Sequence, residues 1–297
     1  MMGYGSLKRF DYLPHPASSL HPKKNKTMKT ILIINGEKYW KDYFAGFDVV
    51  QKKVQTSEFI VKNAELYAID ENGVCKPDVI FWRLGAINPE AKHRNILELI
   101  EYSGVPCVNS ASTLLVGYER LSMLNRLKKL GLPVIDFNVA TNTTQLKNLE
   151  MQFPFVVKVG NHHDGYGKSL VSTEEQWEEL KDLLFIHQDY VTTEKFIDYQ
   201  YDIRYLAVND KVWAMKRKGK YWKANSLTQQ YQLIEPEKEW IEKVKLLQEN
   251  IKADIVAIDV LETENGGKII VEYNDIPGLS GFPEDAKLEL AGIVKSK

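Results

Sequence analysis

Two apolar runs near the C-terminus, IVAIDVLE and KIIVEYN, limit the choice of fold more than any other part of this chain. They are joined through Asn265-Gly266-Gly267, a turn signal that predicts two antiparallel strands over 253–278. Asp259 lies mid-strand in one of them, where a lone carboxylate would be costly to bury. Glu272 and Asn274 are two apart, so on a strand their side chains share one face. Three oxygen donors on adjacent strands make a hard-cation site, which suits Mg²⁺ held with phosphates and waters. A solvated face with scattered acids is the plainer alternative.

Upstream, short apolar strands alternate with helical segments. ILIIN (31–35) ends at Gly36, and PDVIFWRLGA (77–86) leads into Arg83 and Gly85. Residues 95–102 have helical spacing closed by Gly104, and VPCVN (105–109) is a further strand. Strands alternating with helices predict a doubly wound parallel sheet over 28–112. One helix is expected around 113–130, with Leu121, Leu124 and Leu127 on one face and Gly131 past its end. Strands at 134–140, 154–160 and 169–172 and an acidic helix from about Ser172 complete a small lobe, 113–195. The rest, 196–297, reads as an antiparallel lobe: TTEKFI (192–197) leads into it, a hairpin turns at Asn209-Asp210, and a helix covers about 237–251. The fold class is therefore α/β passing into α+β. Residues 1–27, rich in Pro, Ser, His and Lys without periodicity, are expected to be a disordered tail.

With 297 residues, the chain has room for such an arrangement, and 44% hydrophobic and 27% charged residues are ordinary for a globular protein. A net charge of -1 provides no global field favouring nucleic acid or anionic membrane. Cys75 and Cys107 are too few for a disulfide framework, and reduced, buried thiols are expected. No apolar run is long enough to span a bilayer and no secretory signal opens the chain, so the reading is soluble and cytoplasmic.

Three further segments have chemistry to offer. NHHDGYGK (161–168) places Gly165 and Gly167 between apolar strands, where backbone N–H groups could wrap an anion flanked by Lys158 and Lys168. Taken alone the loop is a weak signal, an ordinary hairpin loop is the plainer reading, and the spacing is not that of a Walker A element. His162 and His163 are adjacent, so they point apart; a loop closing over a ligand suits them better than a metal pair. AMKRKGKYWK (214–223) mixes cations with Tyr221 and Trp222. It reads as an RNA surface, a solvated hairpin, or a strand on which Lys216 or Arg217, with Arg204, faces phosphates in a cleft.

Taken in order, the glycine loop, E-K-F-I, D-I-R, the basic strand and D…E-x-N resemble the ATP-grasp superfamily, in its RimK-type and synapsin-like branches, with a glutathione synthetase-like ATP-binding domain. The resemblance covers about 29–288. FPFVVKVGNHHDGYGKSLV and YWKAN are similar to the synapsin ATP-loop region; PDVIFWRLGA, VAIDVL and VEYNDIPGLSGFPE are similar to RimK-type glutamate ligases.

The resemblance implies a doubly wound pre-ATP-grasp domain followed by two lobes clasping ATP. Lys158 would contact the α- and β-phosphates, and the loop holding His163, Gly165, Gly167 and Lys168 would close over them. Backbone groups at Lys195 and Ile197 would hold the adenine edge beside Glu194, and Asp202 the ribose hydroxyls. Asp259, Glu272 and Asn274 would bind two Mg²⁺ (or Mn²⁺) ions, while Arg204 and Arg217 steady the transferring phosphoryl group and Asn225 lies near phosphates or substrate. Arg120 stands where the family has a lysine at a helix start, a charge of different shape. SLTQQ follows Asn225 where RimK-type ligases are glycine-rich. The implied activity is an ADP-forming carboxylate–amine ligase acting through an acyl phosphate, on small-molecule or peptide carboxylates and amines. A synapsin-like ATP-binding module is the second reading and an RNA-binding protein the third. Neither nucleic acid nor membrane is expected as a partner. Members of the family often pair, but no feature of this sequence shows self-association.

Overall fold

The computed structural model describes residues 28–142, 146, 152–163, 165–186, 189–219, 222–223 and 228–297, with the backbone alone at 228–230. The expectations for the 1–27 tail and for Asn225 fall outside these residues.

The apolar run after Met28 is β1 (Thr30–Asn35), paired in parallel with β2 (Asp48–Lys52). Three short strands follow, β3 (Glu58–Lys62), β4 (Glu65–Asp70) and β5 (Gly73–Cys75), in an antiparallel sheet of their own. The β3–β4 turn uses Asn63 and Ala64, at φ 55° and 60°. An alanine occupies the place where glycine normally flags such a turn, which hid this sheet from the sequence reading. Then come β6 (Val79–Arg83), α1 (Ala91–Ser103), closed by Gly104 at φ 69°, and β7 (Cys107–Val108). The parallel sheet has the order β2-β1-β6-β7.

β1 is apolar on both faces because both are buried. Leu32 and Ile34 pack towards α1 with Ile80, Ile96 and Ile100. Ile31 and Ile33 pack with Phe81, Trp40, Phe44 and the C-terminal helix on the other side. Alternate residues thus enter different cores, as a doubly wound sheet requires. Cys75 and Cys107 are free and buried, and burial pushes both thiols up to about 12.

The single helix expected near 113–130 is two: α2 (Ala111–Val116), capped by Ser110, and α3 (Arg120–Lys129). The break at Gly117 has a tertiary cause. A Cβ there would stand 2.2 Å from Asp275 Oδ2, so the chain turns where only glycine fits. Asn161 secures the new start, accepting from Arg120 N–H at 3.0 Å and donating to Tyr118 O at 2.6 Å.

A four-stranded antiparallel sheet of order β10-β9-β11-β8 follows. It comprises β8 (Phe137–Ala140), β9 (Phe155–Val159), β10 (Lys168–Val171) and β11 (Val191–Lys195), and α4 (Glu174–Phe185) covers it. Phe155 and Trp177 lie at the centre of its core, with ring centroids 5.3 Å apart.

The last sheet has the order β14-β13-β12-β15-β16. Its strands are β12 (Tyr201–Val208), β13 (Lys211–Gly219), β14 (Thr228–Ile234), β15 (Ile255–Glu262) and β16 (Lys268–Asn274). Between them lies α5 (Lys238–Ile251), and α6 (Glu284–Ser296) ends the chain. One face, with Ile203, Tyr205, Val256 and Ile258, packs on α3 and α5. The other face changes character along the strands. Leu206, Val208, Ile255 and Ala257 enter the core shared with β1 and α6, whereas Asp202, Arg204 and Asp259 lie farther along. Among the described residues no helix is long and apolar enough to cross a membrane.

Asn109 fastens the parallel sheet to this last one. Its Nδ2 donates to Ile255 O at 2.7 Å and Asp275 O at 2.6 Å, and its Oδ1 accepts from Ile255 N–H at 2.9 Å. Replacing this buried side chain strands several backbone groups, each worth roughly 1–3 kcal/mol when left unpaired. Asn109→Ala is expected to lower unfolding stability by about 3 kcal/mol in a urea titration; a loss within ~0.5 kcal/mol would refute the clamp.

Candidate functional site

Sheet register brings the predicted acids together. Asp259 on β15 lies directly opposite Glu272 on β16, and Asn274 follows two residues on. The register then slips, so Val260 meets Ile270 and Val271 has no opposite number. This bulge re-aims β16 at the site. On the other side of β15, Arg204 faces Asp259, and Asp202 faces Arg217 on β13.

The buried charges are compensated pair by pair. Arg204 Nε and Nη2 each donate to Asp259 at 2.7 Å, a bidentate fork. Arg217 Nη2 lies 2.7 Å from Asp202 and 3.1 Å from Asp259. Glu272 meets Arg120 Nη1 at 3.0 Å and Lys168 Nζ at 3.5 Å. Across the cleft, Lys158 Nζ donates to Glu194 at 2.6 Å.

These pairings set the protonation states. Burial alone would push the Glu272 carboxyl up, but Lys168, Arg120 and Lys158 hold it well below the usual carboxylate range. Burial of Asp259 is likewise outweighed by Arg204 and Arg217, so it too is lowered. Asp202 goes the other way: its burial outweighs Arg217, and its Oδ1 has no hydrogen-bond partner. Burial brings Lys158 down to about 8, with Glu194 opposing the fall.

A cleft opens between the small antiparallel sheet and the large one. Lys158, Gly165, Lys168, Glu194, Lys195, Ile197, Asp202, Asp259 and Glu272 all line it, which gathers most of the predicted nucleotide residues. His163, Arg204, Arg217 and Asn274 line an adjoining pocket instead. Gly167 borders neither; it packs against His162, whose Cδ2 would lie 2.9 Å from a Cβ at that position. Arg120, 1% exposed, also borders neither cavity and acts through Glu272 and the His162 carbonyl. Of the adjacent histidines, His163 lines the second pocket and His162 packs on Gly167, and among the described residues no three His, Cys, Asp or Glu side chains gather as a metal cluster.

Of the two β13 cations offered for the cleft, Lys216 or Arg217, Lys216 lies away from it. It lies one residue out of phase with Arg217, pairs with Glu262 at 2.7 Å and stacks on Tyr201. Arg217 and Arg204 instead meet the buried carboxylates Asp202 and Asp259. Lys223 holds the glycine loop, donating to Gly165 O at 3.1 Å and Lys168 O at 2.7 Å. Its place in a basic run signalled charge but not this contact. Asp275 and Tyr273, beside the second pocket, carried no sequence signal beyond adjacency to Asn274.

A family model described as "Synapsin, ATP binding domain" matches residues 109–297. The chain is 22% identical to Synapsin of Drosophila melanogaster, an alignment covering 90% of this chain and 29% of that protein, so it spans under a third of that relative. It is 27% identical to a probable alpha-L-glutamate ligase of Maridesulfovibrio salexigens, over 66% of this chain and 68% of the other. In fold it is similar to the RimK domain ATP-grasp protein of Sphaerobacter thermophilus, with TM-score 0.66 and 18% identity over 90% of this chain and 99% of that one.

Removing one partner of a buried ion pair leaves an uncompensated charge, at a cost of ~3–5 kcal/mol. Lys158→Met is expected to lower stability by about 3 kcal/mol through Glu194. The double variant Lys158→Met/Glu194→Met is expected to recover most of it in urea unfolding, and additive losses would contradict the pairing.

Proposed function

This chain belongs to the synapsin ATP-binding-domain family, within the ATP-grasp superfamily and its RimK-like branch, and from that premise we propose that it is an ATP-dependent carboxylate–amine ligase. One observation supports this more than any other. Asp259 and Glu272 face each other across one register pair, in a cleft also lined by Lys158 and the Gly165–Lys168 loop end.

In this reading Lys158 contacts the α- and β-phosphates, and the 163–168 loop covers them. Lys195 and Ile197 present backbone groups to the adenine edge beside Glu194, and Asp202 offers its unpartnered Oδ1 to the ribose. Arg204 and Arg217, both held in fixed orientation by carboxylates, meet the charge of the transferring phosphoryl group. Arg120 positions Glu272.

The donor set fits magnesium: two carboxylates kept ionised by their neighbours and one amide oxygen, all hard ligands on one sheet face. Asp259, Glu272 and Asn274 would hold it, and when bound it neutralises phosphate charge. The substrate carboxylate takes the γ-phosphoryl group and ADP departs. The amine then attacks the acyl carbon, phosphate leaves, and the amine proton is released. A closed loop keeps water from the acyl phosphate. Relatives named as glutamate ligases make an amino acid or peptide the first substrate class to test.

The likeness to synapsin favours a second reading, ATP binding with little turnover. ADP release measured against pooled acids and amines, with mass spectrometry of products, separates the two. Release that requires both an acid and an amine, and that falls at least ~100-fold in Glu272→Gln, is expected for the ligase. Tight ATP binding without release across the whole screen would overturn it in favour of the binding module.

A further inference from the structure

An open strand edge offers unpaired N–H and C=O groups to any other chain, and stable proteins shorten such edges, charge them or cover them. Most edges of the four sheets here are treated in one of these ways. β7 has two residues and β5 three, and β8 and β10 have four each. β2 carries Asp48 and Lys52, and β3 carries Glu58 and Lys62. β16 is covered: Ile270 N–H donates to Pro133 O at 2.7 Å, and Ile135 N–H donates to Ile270 O at 2.9 Å.

β14 has none of these protections. Its seven residues, TQQYQLI, include no charge, no proline and no glycine. It is the outermost strand of the large sheet, paired with β13 on one side and with no described strand on the other. Segments of this length and composition pair readily with further strands.

Its described side chains reinforce the point. Tyr231 lies opposite Arg217 and Leu233 opposite Met215, so the two share one face of the sheet. Both are large and apolar, yet Tyr231 is 53% and Leu233 50% exposed. Gln232, between them, is exposed on the other face. The Tyr231 ring rests on Gly281, where a Cβ would stand 3.1 Å from its Cδ1. The strand is therefore packed on its inner side and bare on its outer one.

We propose that β14 is a dimer interface, pairing antiparallel with β14 of a second copy across a two-fold axis. Such an axis applies one surface to itself, so a residue on the axis meets its own counterpart. A charge on the axis would meet a like charge; an uncharged strand meets no repulsion in any register. Charge is also what selects among foreign strands, and β14 has none to select with. Pairing all seven residues places Tyr231 on the axis and Leu233 opposite Gln229 of the partner subunit. Two five-stranded sheets thereby become one. The assembly stops at two copies, because each β14 is used up and each β16 is already covered by residues 133–135. The interface stands apart from the ligase reading, since no β14 residue lines the nucleotide cleft.

Sedimentation equilibrium of the full chain, from ~1 to ~100 µM, tests this first, because a homodimer's population depends on protomer concentration. A monomer–dimer equilibrium is expected. Gln232→Lys and Leu233→Lys each put a cation on the edge and are expected to raise the dimer Kd by about tenfold or more. AMP-PNP affinity confirms a folded cleft in each.

A symmetric disulfide tests the register, and it decides the matter should a lysine variant fail to fold. Opposed strand residues have Cα atoms ~4.5–5.5 Å apart, within disulfide reach. Tyr231→Cys is therefore expected to cross-link two copies under diamide. Leu233→Cys is not, since its counterparts are four residues apart along the strand, ~13 Å. Cys75 and Cys107 are buried and do not compete. A monomer throughout the concentration range would overturn the interface. A monomer whose β14 amides resist hydrogen exchange would overturn it in favour of a different occupant. Species that keep growing with concentration, a dimer indifferent to both lysines, or cross-linking at Leu233→Cys as readily as at Tyr231→Cys would also overturn it.

Discussion

A carboxylate in the middle of a buried strand is tolerable only if something nearby carries the opposite charge. Asp259 has two guanidiniums, from β12 and β13, and Glu272 has Arg120 and Lys168. That compensated cluster dictates much else. It requires the large sheet to be antiparallel in this register, so that Arg204 falls opposite Asp259. It also requires α3 to start where Arg120 can reach β16, and the glycine loop to bring Lys168 across the cleft.

The polarity of the large sheet therefore changes along its strands as well as across them. At one end the site face is apolar and welded to the first unit through Leu206, Val208 and Ala257; at the other it is charged and faces the small lobe. Asn109 and Arg83 reach across from the first unit to carbonyls at Asp275 and Pro277. Both pockets thus share the large sheet as a floor, whose register gives Arg204, Arg217 and Asn274 to one and Asp202, Asp259 and Glu272 to the other.

The elements most legible in the sequence were those with local causes. Asp259, Glu272 and Asn274 could be placed because strand periodicity and apolar context are read over a few residues. The hairpin at Asn209-Asp210 and the stop at Gly104 were legible for the same reason. What escaped has distant causes. Gly117 looks like a tolerable helix residue until Asp275, far along the chain, is laid against it. The β3–β5 sheet hid behind an Asn-Ala turn. Lys216 and Arg217 are indistinguishable as charges, and only the register of β13 separates their faces. Arg83 and Tyr273 read as ordinary strand residues; their missing partners become visible only when the pocket is assembled.

The central claim is that Asp259 and Glu272 hold a divalent cation against nucleotide phosphates, and Mn²⁺ paramagnetic resonance tests it most directly. In the presence of AMP-PNP, titrated Mn²⁺ should lose its free-ion signal on the unaltered chain. Its affinity should fall at least tenfold in Asp259→Asn, with the far-ultraviolet dichroism unchanged. Equal Mn²⁺ affinity in the variant and the unaltered chain would contradict the account.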